Sequence, residues 1–192
     1  MASEPLDRRA VVERLLADRD SALVICGLGS PTYDVAAAGD DARNFYLWGA
    51  MGSAVPMGLG LALAQPTLPV LVVTGDGEML MGLGSLATVG VKRPRNLTVV
   101  VLDNERYGET GMQASHSGLG VDLVEMARAC GFDWSMAVGD EEALAELCPK
   151  VFANDGCGFA AIKISAEPLP RTLPARDGVY LKQRFRAAVL GD

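Results

Sequence analysis

The chain alternates short, continuous apolar runs with stretches in which apolar residues recur every three or four positions. Between Val70 and Tyr107, the runs VLVVTGDGEML and LTVVVLDNERY flank a helical stretch of small residues. Continuous runs rich in Val and Leu are typical of parallel strands that are buried on both faces of a sheet. This segment therefore predicts two parallel strands joined by a helical crossover, with both carboxyl ends at the same edge of the sheet.

The rest of the chain continues this alternation. Further strands are expected over 21–26, 44–48, 133–138 and 158–165. Helices are expected over 5–18, 121–130, 141–152 and 179–190, and two more are expected, one that begins near residue 30 and one that ends near residue 65. Ser3 or Asp7 is available to cap the first helix. Strands that alternate with helices predict an α/β fold with a single doubly wound, mostly parallel sheet and helices on both faces.

Length, composition and charge limit the alternatives. A chain of 192 residues, 49% hydrophobic, suits one domain over 1–192, and the prolines at 168, 170 and 174 indicate a C-terminal extension over about 167–192. The net charge of −7 argues against non-specific nucleic-acid binding. The charged N-terminus is unlike a secretory signal, and no apolar run reaches the roughly 18 residues of a membrane span, so a cytoplasmic protein is expected. The cysteines form no C-x-x-C pair and indicate neither a disulfide framework nor a zinc site.

Polar side chains follow both strands of the central segment. Asp76 lies in the turn Gly75-Asp76-Gly77, and Asn104 follows the second strand. Open α/β sheets bind ligands at the carboxyl ends of their strands, so the two side chains would offer hard oxygen ligands for Mg²⁺ there. Because Mg²⁺ usually takes its other ligands from phosphate and water, a diphosphate ligand is implied. The alternative is that Gly75-Asp76-Gly77 is only a strand-ending turn and that Asn104 caps a helix.

A second phosphate-binding pattern lies close by. Residues 82–87 fit G-x-G-x-x-A, the pattern of a dinucleotide-binding turn. In that motif the first glycine directly follows the strand, whereas here the strand is expected to end near Thr74. We therefore interpret Gly82 and Gly84 as glycines that allow helix packing.

The Gly-Asp-Gly turn and the later Asn, set between two apolar strands, resemble the cofactor motif of thiamine diphosphate-dependent enzymes. In that family, the Asp, the Asn and a backbone carbonyl two residues after the Asn bind Mg²⁺ on the cofactor's diphosphate. The resemblance implies Asp76, Asn104 and the carbonyl of Arg106 as the metal ligands. The usual motif has Asn-Asn where this chain has Asp103-Asn104, so the ligand position itself is kept.

The resemblance also implies contacts with thiamine diphosphate from further segments. The turn at 27–31 would touch the diphosphate, a carbonyl in the turn after 44–48 would accept a hydrogen bond from the aminopyrimidine, and a bulky residue two positions later would support the bent cofactor. A plain strand-to-helix turn at 27–31 and a core-filling methionine are the alternatives. The cofactor-binding residues expected on this basis are Gly29, Ser30, Gly49, Met51, Gly75, Asp76, Gly77, Glu78, Asn104 and Tyr107.

A polar segment over 107–118 follows the second motif strand and contains the only histidine of the chain. Loops at this edge of a sheet often carry function, so we expect the segment to lie over the cofactor and to contact the substrate. His116 could transfer a proton, and Glu109 could assist substrate chemistry. The alternative for His116 is a solvated loop side chain.

Enzymes of this family need a second kind of domain, which binds the aminopyrimidine and supplies the main catalytic glutamate. The chain resembles only the diphosphate-binding domain, over nearly its whole length. Glu78, on the diphosphate side, and Glu109, in the loop, do not replace the missing glutamate. The resemblance therefore implies a pyrimidine-domain (α) partner subunit, with assembly into α₂β₂ or larger.

Within the family, the segments GDG-x-x-L-M and YG-x-TG-x-Q are most similar to the small subunit of sulfopyruvate decarboxylase and the matching half of phosphonopyruvate decarboxylase. This resemblance implies non-oxidative decarboxylation of a 2-oxo acid to an aldehyde and CO₂. The alternatives are a subunit of a carboligase related to acetolactate synthase, or a non-catalytic subunit that regulates or binds a complete enzyme.

Overall fold

The computed structural model of the chain describes residues 5–191 and is built on one six-stranded parallel sheet. The strands are β1 Leu23–Cys26, β2 Asn44–Tyr46, β3 Val70–Gly75, β4 Leu97–Asp103, β5 Arg106–Tyr107, β6 Gln113–Ala114, β7 Trp134–Val138 and β8 Gly158–Lys163. The order in the sheet is β2-β1-β3-β4-β8-β7, and β5 and β6 form a separate antiparallel hairpin. The chain runs from β1 to the edge strand β2, crosses back to β3 and β4, and then forms the other half of the sheet, which confirms the predicted doubly wound α/β fold.

Helices cover both faces of this sheet. Alternate side chains of a strand point to opposite faces, so a continuous apolar strand can bury both. Leu71 and Val73 of β3 belong to a core cluster that includes residues of the first, second and seventh helices, whereas Val70 and Val72 belong to a cluster that includes residues of the third, fifth and sixth. The helices are α1 Arg8–Leu16, α2 Ser30–Ala37, α3 Ala54–Ala64, α4 Asp76–Met81, α5 Ser85–Lys92, α6 Leu123–Ala129, α7 Glu141–Val151 and α8 Gly178–Leu190.

Some local features differ from the sequence prediction. β2 ends at Tyr46, and the indole of Trp48 turns away to donate a hydrogen bond of 2.8 Å to the carbonyl of Ala175. The polar segment 107–118 overlaps the hairpin β5–β6, which begins at Arg106, and a 3₁₀ helix over Ser117–Leu119. Asp7 caps α1 by accepting from two backbone N–H groups, while the other expected cap, Ser3, lies outside the described residues.

The C-terminal segment packs back against the edge strand β2. Phe185 of α8 meets Phe45 edge-on, with ring centroids 5.4 Å apart, and Arg184 pairs with Asp40 at 2.6 Å. Because an edge strand exposes unpaired backbone groups, this helix protects one side of the sheet. No helix within residues 5–191 has the length and apolar character that crossing a bilayer requires.

The two glycines interpreted as packing residues have different environments. A Cβ atom on Gly82 would lie 2.2 Å from the carbonyl oxygen of Gly52, so the end of α4 packs directly on the loop before α3. A Cβ atom on Gly84 would have no neighbour within 4 Å. The packing interpretation is therefore confirmed for Gly82 and wrong for Gly84, which lies at the exposed start of α5.

We predict that Gly82→Ala lowers the free energy of unfolding by about 1–3 kcal/mol, because the added methyl group forces the Gly52 loop away from α4. Urea unfolding would measure this loss. Gly84→Ala is the matched control, since it adds the same group in open space at φ −59°, and its effect should stay within about 0.5 kcal/mol. Equal losses in the two variants would contradict the assigned contact.

Candidate functional site

Two strand ends meet at the carboxyl edge of the sheet. β3 and β4 are neighbours, and their register pairs Gly75 with Leu102. Asp76 begins α4 directly after β3, and Asn104 follows β4, so the structure brings together the two residues that the sequence predicted at this edge. Both line one pocket, whose other lining residues are Leu28, Ser30, Pro31, Met51, Gly75, Gly77, Glu78, Leu102, Arg106, Tyr107, Gly108, Glu109, Thr110 and Ile164.

Asp76 is held by two serines from the segment after the hairpin. Asp76 is only 2% exposed, and its Oδ2 atom lies within hydrogen-bond distance of the hydroxyls of Ser115 and Ser117. The Ser117 hydroxyl is also 2.7 Å from Oδ1 of Asp103, and the two serine hydroxyls are 2.8 Å apart. The cluster therefore ties the ends of β3 and β4 to the base of the hairpin.

The cluster of Asp76, Asp103, Ser115 and Ser117 has more contacts of hydrogen-bond length than it has hydroxyl protons to donate. Four contacts link the two carboxylates and the two hydroxyls, yet each hydroxyl can donate only once and a carboxylate only accepts. Burial raises the pKa of Asp76, the hydrogen bond from Ser115 opposes this rise, and the charge of Asp103 adds to it. An additional proton or a bound cation would therefore be favoured at this carboxylate.

Asp103 links the site to the neighbouring strand β8, a link that the sequence alone does not predict. It is 3% exposed, accepts from the backbone N–H of Glu105 at 3.0 Å and pairs with Nζ of Lys163 at 2.7 Å. Lys163 ends β8 and also pairs with Glu105 at 2.6 Å. The only sequence signal for this network was the acidic side chain beside Asn104, because a carboxylate at a buried strand end needs donors.

Asn104 forms a tight turn of its own. Its Oδ1 atom accepts a hydrogen bond of 3.0 Å from the backbone N–H of Arg106, and Glu105 between them has a positive φ of 60°. The next element is the strand β5, so Asn104 does not cap a helix, and that alternative is wrong. The turn keeps the amide oxygen of Asn104 beside the backbone of Arg106, whose exposed side chain also lines the pocket.

Glu78 is turned into the protein. It is 4% exposed, and its Oε2 atom accepts a hydrogen bond of 2.9 Å from the hydroxyl of Thr74. A Cβ atom on Gly27 would lie 1.8 Å from this oxygen, so only glycine leaves room for the carboxylate there. Burial raises the pKa of Glu78, and the Thr74 hydrogen bond opposes the rise. Glu78 thus joins α4 to the turn after β1, and its contact with a cofactor stays a prediction.

The start of α2 forms another wall of the pocket. Gly29 has a φ of +80° at the N-cap position, which favours glycine, and Ser30 and Pro31 begin the helix. A Cβ atom on Gly29 would lie 2.9 Å from Oε1 of Glu109. The tip of the hairpin therefore leans over the start of α2, and Glu109 also approaches Arg171 of the C-terminal segment at 3.7 Å.

The turn before α3 places Met51 at the pocket. Met51 is 38% exposed and lines the pocket, so it does not fill the core as the alternative interpretation proposed. Its neighbours Ala50 and Gly52 have φ values of 56° and 90°, which make this turn tight. Gly49 is exposed and lies outside the set of pocket-lining residues.

Tyr107 connects His116 to the pocket. Its ring packs on Gly77, where a Cβ atom would lie 2.7 Å from a ring carbon, and its hydroxyl is 2.9 Å from Nδ1 of His116. Tyr107 lines the pocket, whereas His116 is exposed and lies outside the lining residues. His116 therefore lies behind Tyr107 and outside the pocket lining, and its role in proton transfer stays a prediction.

A comparison with sequence models of known protein families shows to which family this chain belongs. A sequence model described as "Thiamine pyrophosphate enzyme, C-terminal TPP binding domain" matches residues 33–164. The chain belongs to this family. Thiamine pyrophosphate is another name for thiamine diphosphate, so the family resemblance based on the Gly75-Asp76-Gly77 turn and Asn104 is confirmed.

Two curated relatives that match this thiamine diphosphate enzyme domain over most of its length carry decarboxylase names. The chain is 33% identical over 186 residues to sulfopyruvate decarboxylase subunit beta of Methanococcus maripaludis, covering 96% of this chain and 98% of that protein. It is 41% identical over 189 residues to phosphonopyruvate decarboxylase of Streptomyces viridochromogenes, covering 95% of this chain but 46% of that protein. The chain therefore spans nearly all of the first relative and about half of the second.

Solved structures show the same fold within larger chains. A putative thiamin diphosphate-dependent enzyme from Mycobacterium smegmatis is 23% identical with a TM-score of 0.71, covering 85% of this chain and 32% of that one. Benzoylformate decarboxylase from Polynucleobacter necessarius is 21% identical with a TM-score of 0.68, covering 88% and 35%. The thiamine diphosphate enzyme domain described here thus corresponds to about a third of each of these chains.

We predict that Ser117→Ala lowers the free energy of unfolding by about 1–3 kcal/mol, because Asp76 and Asp103 lose a shared donor in a buried site. Urea unfolding without added metal would measure it. Ser53→Ala is the control, since Ser53 precedes α3 without a capping hydrogen bond from its side chain, and it should change stability by less than about 0.5 kcal/mol. Unchanged stability in Ser117→Ala would remove the proposed link between strand ends and hairpin.

Proposed function

We propose that this chain is the diphosphate- and Mg²⁺-binding subunit of a two-subunit, thiamine diphosphate-dependent 2-oxo acid decarboxylase. The observation that carries the proposal is the meeting of Asp76 and Asn104 in one pocket at the adjacent ends of β3 and β4. Membership of the family supports the cofactor, and the names of the relatives support the reaction. The products would be an aldehyde and CO₂.

The oxygen donors of this pocket fit Mg²⁺ on a diphosphate. The serine hydrogen bonds to Asp76 both fall on Oδ2, which leaves Oδ1 for another ligand, and the amide oxygen of Asn104 shares a turn with the backbone of Arg106. Within residues 5–191, no group of three or more His, Cys, Asp or Glu is arranged to hold a metal ion. A cation here would take few ligands from the protein and the rest from phosphate and water, as Mg²⁺ usually does.

The other pocket residues would bind and orient the cofactor and substrate. Gly29, which is not itself a lining residue, precedes the pocket residue Ser30 at the start of α2, where unpaired backbone N–H groups favour an anion. Thiamine diphosphate, when bound, supplies the electron sink for the bond that breaks as CO₂ leaves. The exposed guanidinium of Arg106 would attract the carboxylate of a 2-oxo acid to the pocket. Any proton that His116 provides would pass through the hydroxyl of Tyr107.

A partner subunit would complete this pocket. Glu78 is buried against Thr74, and Glu109 lies beside Gly29 on the proposed diphosphate side, so neither is free to serve the aminopyrimidine. The relative that this chain spans almost completely is named as a beta subunit, which supports a separate pyrimidine-domain α subunit that bears the catalytic glutamate. Assembly into α₂β₂ or larger would follow from pairing such halves.

The proposed substrate is a 2-oxo acid of the sulfopyruvate or phosphonopyruvate kind. The names of the relatives support this class, and both molecules carry a second anionic group. Among the pocket-lining residues of the described chain, Arg106 is the only cation, so the partner would provide further positive charge for the sulfonate or phosphonate.

We predict that Asp76→Asn weakens Mg²⁺-dependent binding of thiamine diphosphate at least about tenfold, because a charged ligand close to the cation is lost. The amide still accepts from the serines, so the fold should be retained. Titration calorimetry on the chain mixed with its partner would measure the dissociation constant, and release of CO₂ from a panel of 2-oxo acids should fall in parallel.

Asp20→Asn is the matched control for net charge. Asp20 is exposed and precedes β1, at the amino edge of the parallel sheet, so it lies on the opposite side from the pocket. Its variant should bind the cofactor like the parent protein. Undiminished binding in Asp76→Asn would remove the metal assignment and the proposed function with it.

An exposed apolar surface beside the pocket suits the partner. Met81 ends α4 with 63% of its surface exposed, and a Cβ atom on Gly52, the residue after the pocket residue Met51, would lie 3.1 Å from the carbonyl carbon of Met81. We predict that Met81→Glu weakens association with the α subunit at least about tenfold, since it buries a charge in the interface. Analytical ultracentrifugation of the mixture would measure this.

Val179→Glu provides the control for this surface. Val179 is 67% exposed but lies on α8, which packs at the β2 edge of the sheet. This variant should associate normally. If Met81→Glu associates as tightly as the parent while Val179→Glu does not, the partner binds the other side of the domain.

A further inference from the structure

A buried arginine lies behind the wall of the pocket. Arg8 is 7% exposed although it is the first residue of α1. Its Nε atom is 3.3 Å from Oδ2 of the fully buried Asp34, and its Nη1 atom donates a hydrogen bond of 2.9 Å to the hydroxyl oxygen of Ser30. Arginine is rarely buried without a specific partner, so this guanidinium is held in one place by its two contacts.

The sequence around Arg8 explains why it points inwards. Asp7 caps α1, and the parallel bridge between Leu6 and Ile164 fixes the chain just before it. Val11 and Val12 of the same helix are buried in the core, so α1 keeps one face on the sheet. Arg8 lies on that buried side, where α1 packs against α2, and its side chain reaches the first residue of α2.

The hydrogen bond from Arg8 determines what the hydroxyl of Ser30 can do. A serine hydroxyl has one proton to donate and two lone pairs to accept. Arg8 uses a lone pair, and residues 5–191 contain no acceptor hydrogen-bonded to the Ser30 proton. Ser30 lines the pocket, so its proton is available to an acceptor there.

The local charge favours an anionic acceptor. Arg8 and Arg9 both pair with Asp34, at 3.3 and 3.5 Å, so with that carboxylate ionised these three side chains carry one net positive charge, while the carboxylate of Asp7, which also acts on Asp34, caps the start of α1. The whole chain carries −7. The guanidinium of Arg8, in direct contact with the half-buried hydroxyl of Ser30, stabilises an anion that accepts from this hydroxyl, because buried charges are weakly screened.

We propose that Arg8 is a positioning residue that holds the hydroxyl of Ser30 as a hydrogen-bond donor to a phosphate group of the bound cofactor. This inference rests on the proposed function, and it assigns a role to a residue of α1, which precedes the span matched by the family model. Arg8 does not touch the pocket, so its effect on phosphate binding is transmitted through Ser30.

Arg8→Gln tests this role, with Arg9→Gln as the matched control. Both changes remove one guanidinium that pairs with Asp34, but only Arg8 contacts Ser30. Calorimetry on the chain with its partner subunit and Mg²⁺ at pH 7.5 would measure the dissociation constants of thiamine diphosphate and of unphosphorylated thiamine. Arg8→Gln should weaken thiamine diphosphate about tenfold and leave thiamine unchanged, while Arg9→Gln should change each by less than about twofold.

A double-mutant cycle with Ser30→Ala separates positioning from simple charge. If Arg8 acts through Ser30, Ser30→Ala alone should weaken thiamine diphosphate about tenfold, and adding Arg8→Gln should weaken it little further. If Arg8→Gln does not fold, the same cycle uses Arg8→Lys, which keeps the charge beside Asp34 but lacks the fork that reaches both partners. Arg8→Lys should weaken the binding of thiamine diphosphate about threefold, and this effect should disappear when Ser30 is already replaced by Ala.

Three results would overturn the inference while leaving the proposed function intact. The first is that the losses of thiamine diphosphate affinity in Arg8→Gln and Ser30→Ala add up in the double mutant. The second is that Arg8→Gln and Arg9→Gln lose equal affinity for thiamine diphosphate. The third is that Arg8→Gln weakens the binding of thiamine and of thiamine diphosphate equally. A parent protein that binds no thiamine diphosphate with its partner present would overturn both. The two failures are therefore distinguishable by the parent measurement alone.

Discussion

The site depends on one buried carboxylate. Asp76 lies at the point where β3 ends and α4 begins, and it is held by Ser115 and Ser117 from beyond the hairpin. Because a buried carboxylate without donors is strongly unfavourable, these contacts fix the base of the hairpin against the sheet. Asp103 shares one of the same serines, so the ends of β3 and β4 and the base of the hairpin hold one another in position.

The sheet supplies the rigid support for this cluster. β3 and β4 are central, mostly apolar and buried strands with helices on both faces, so their ends have little freedom to move apart. The surrounding turns are coupled to the same support, since Glu78 binds Thr74 of β3 and fills the space over Gly27 after β1. Rigid elements of this kind position functional groups more accurately than free loops do.

The sequence predicted those parts of the structure that local patterns encode. The apolar runs around Val70 to Tyr107 specify adjacent parallel strands, and the turns that follow them specify the positions of Asp76 and Asn104. Ser115 and Lys163 could not be predicted, because their contacts join residues far apart in the chain and depend on the hairpin and on β8 lying beside β4. Gly84 was misinterpreted for a related reason, since the sequence cannot show which glycine of a pair faces a neighbour.

The proposed division of the enzyme into two chains agrees with the location of the buried contacts that hold the site. The groups assigned to metal and diphosphate are supported by the sheet of this chain, through Asp76 and its serines and through Ser30 and Arg8. Such a half-site can be preorganised before any partner binds, which reduces the entropy lost on binding the cofactor. Met51, in contrast, projects from a turn with much of its side chain exposed. The side of the pocket next to Met51 is therefore where a second subunit has most to contribute, by covering apolar surface and excluding water from the reacting centre.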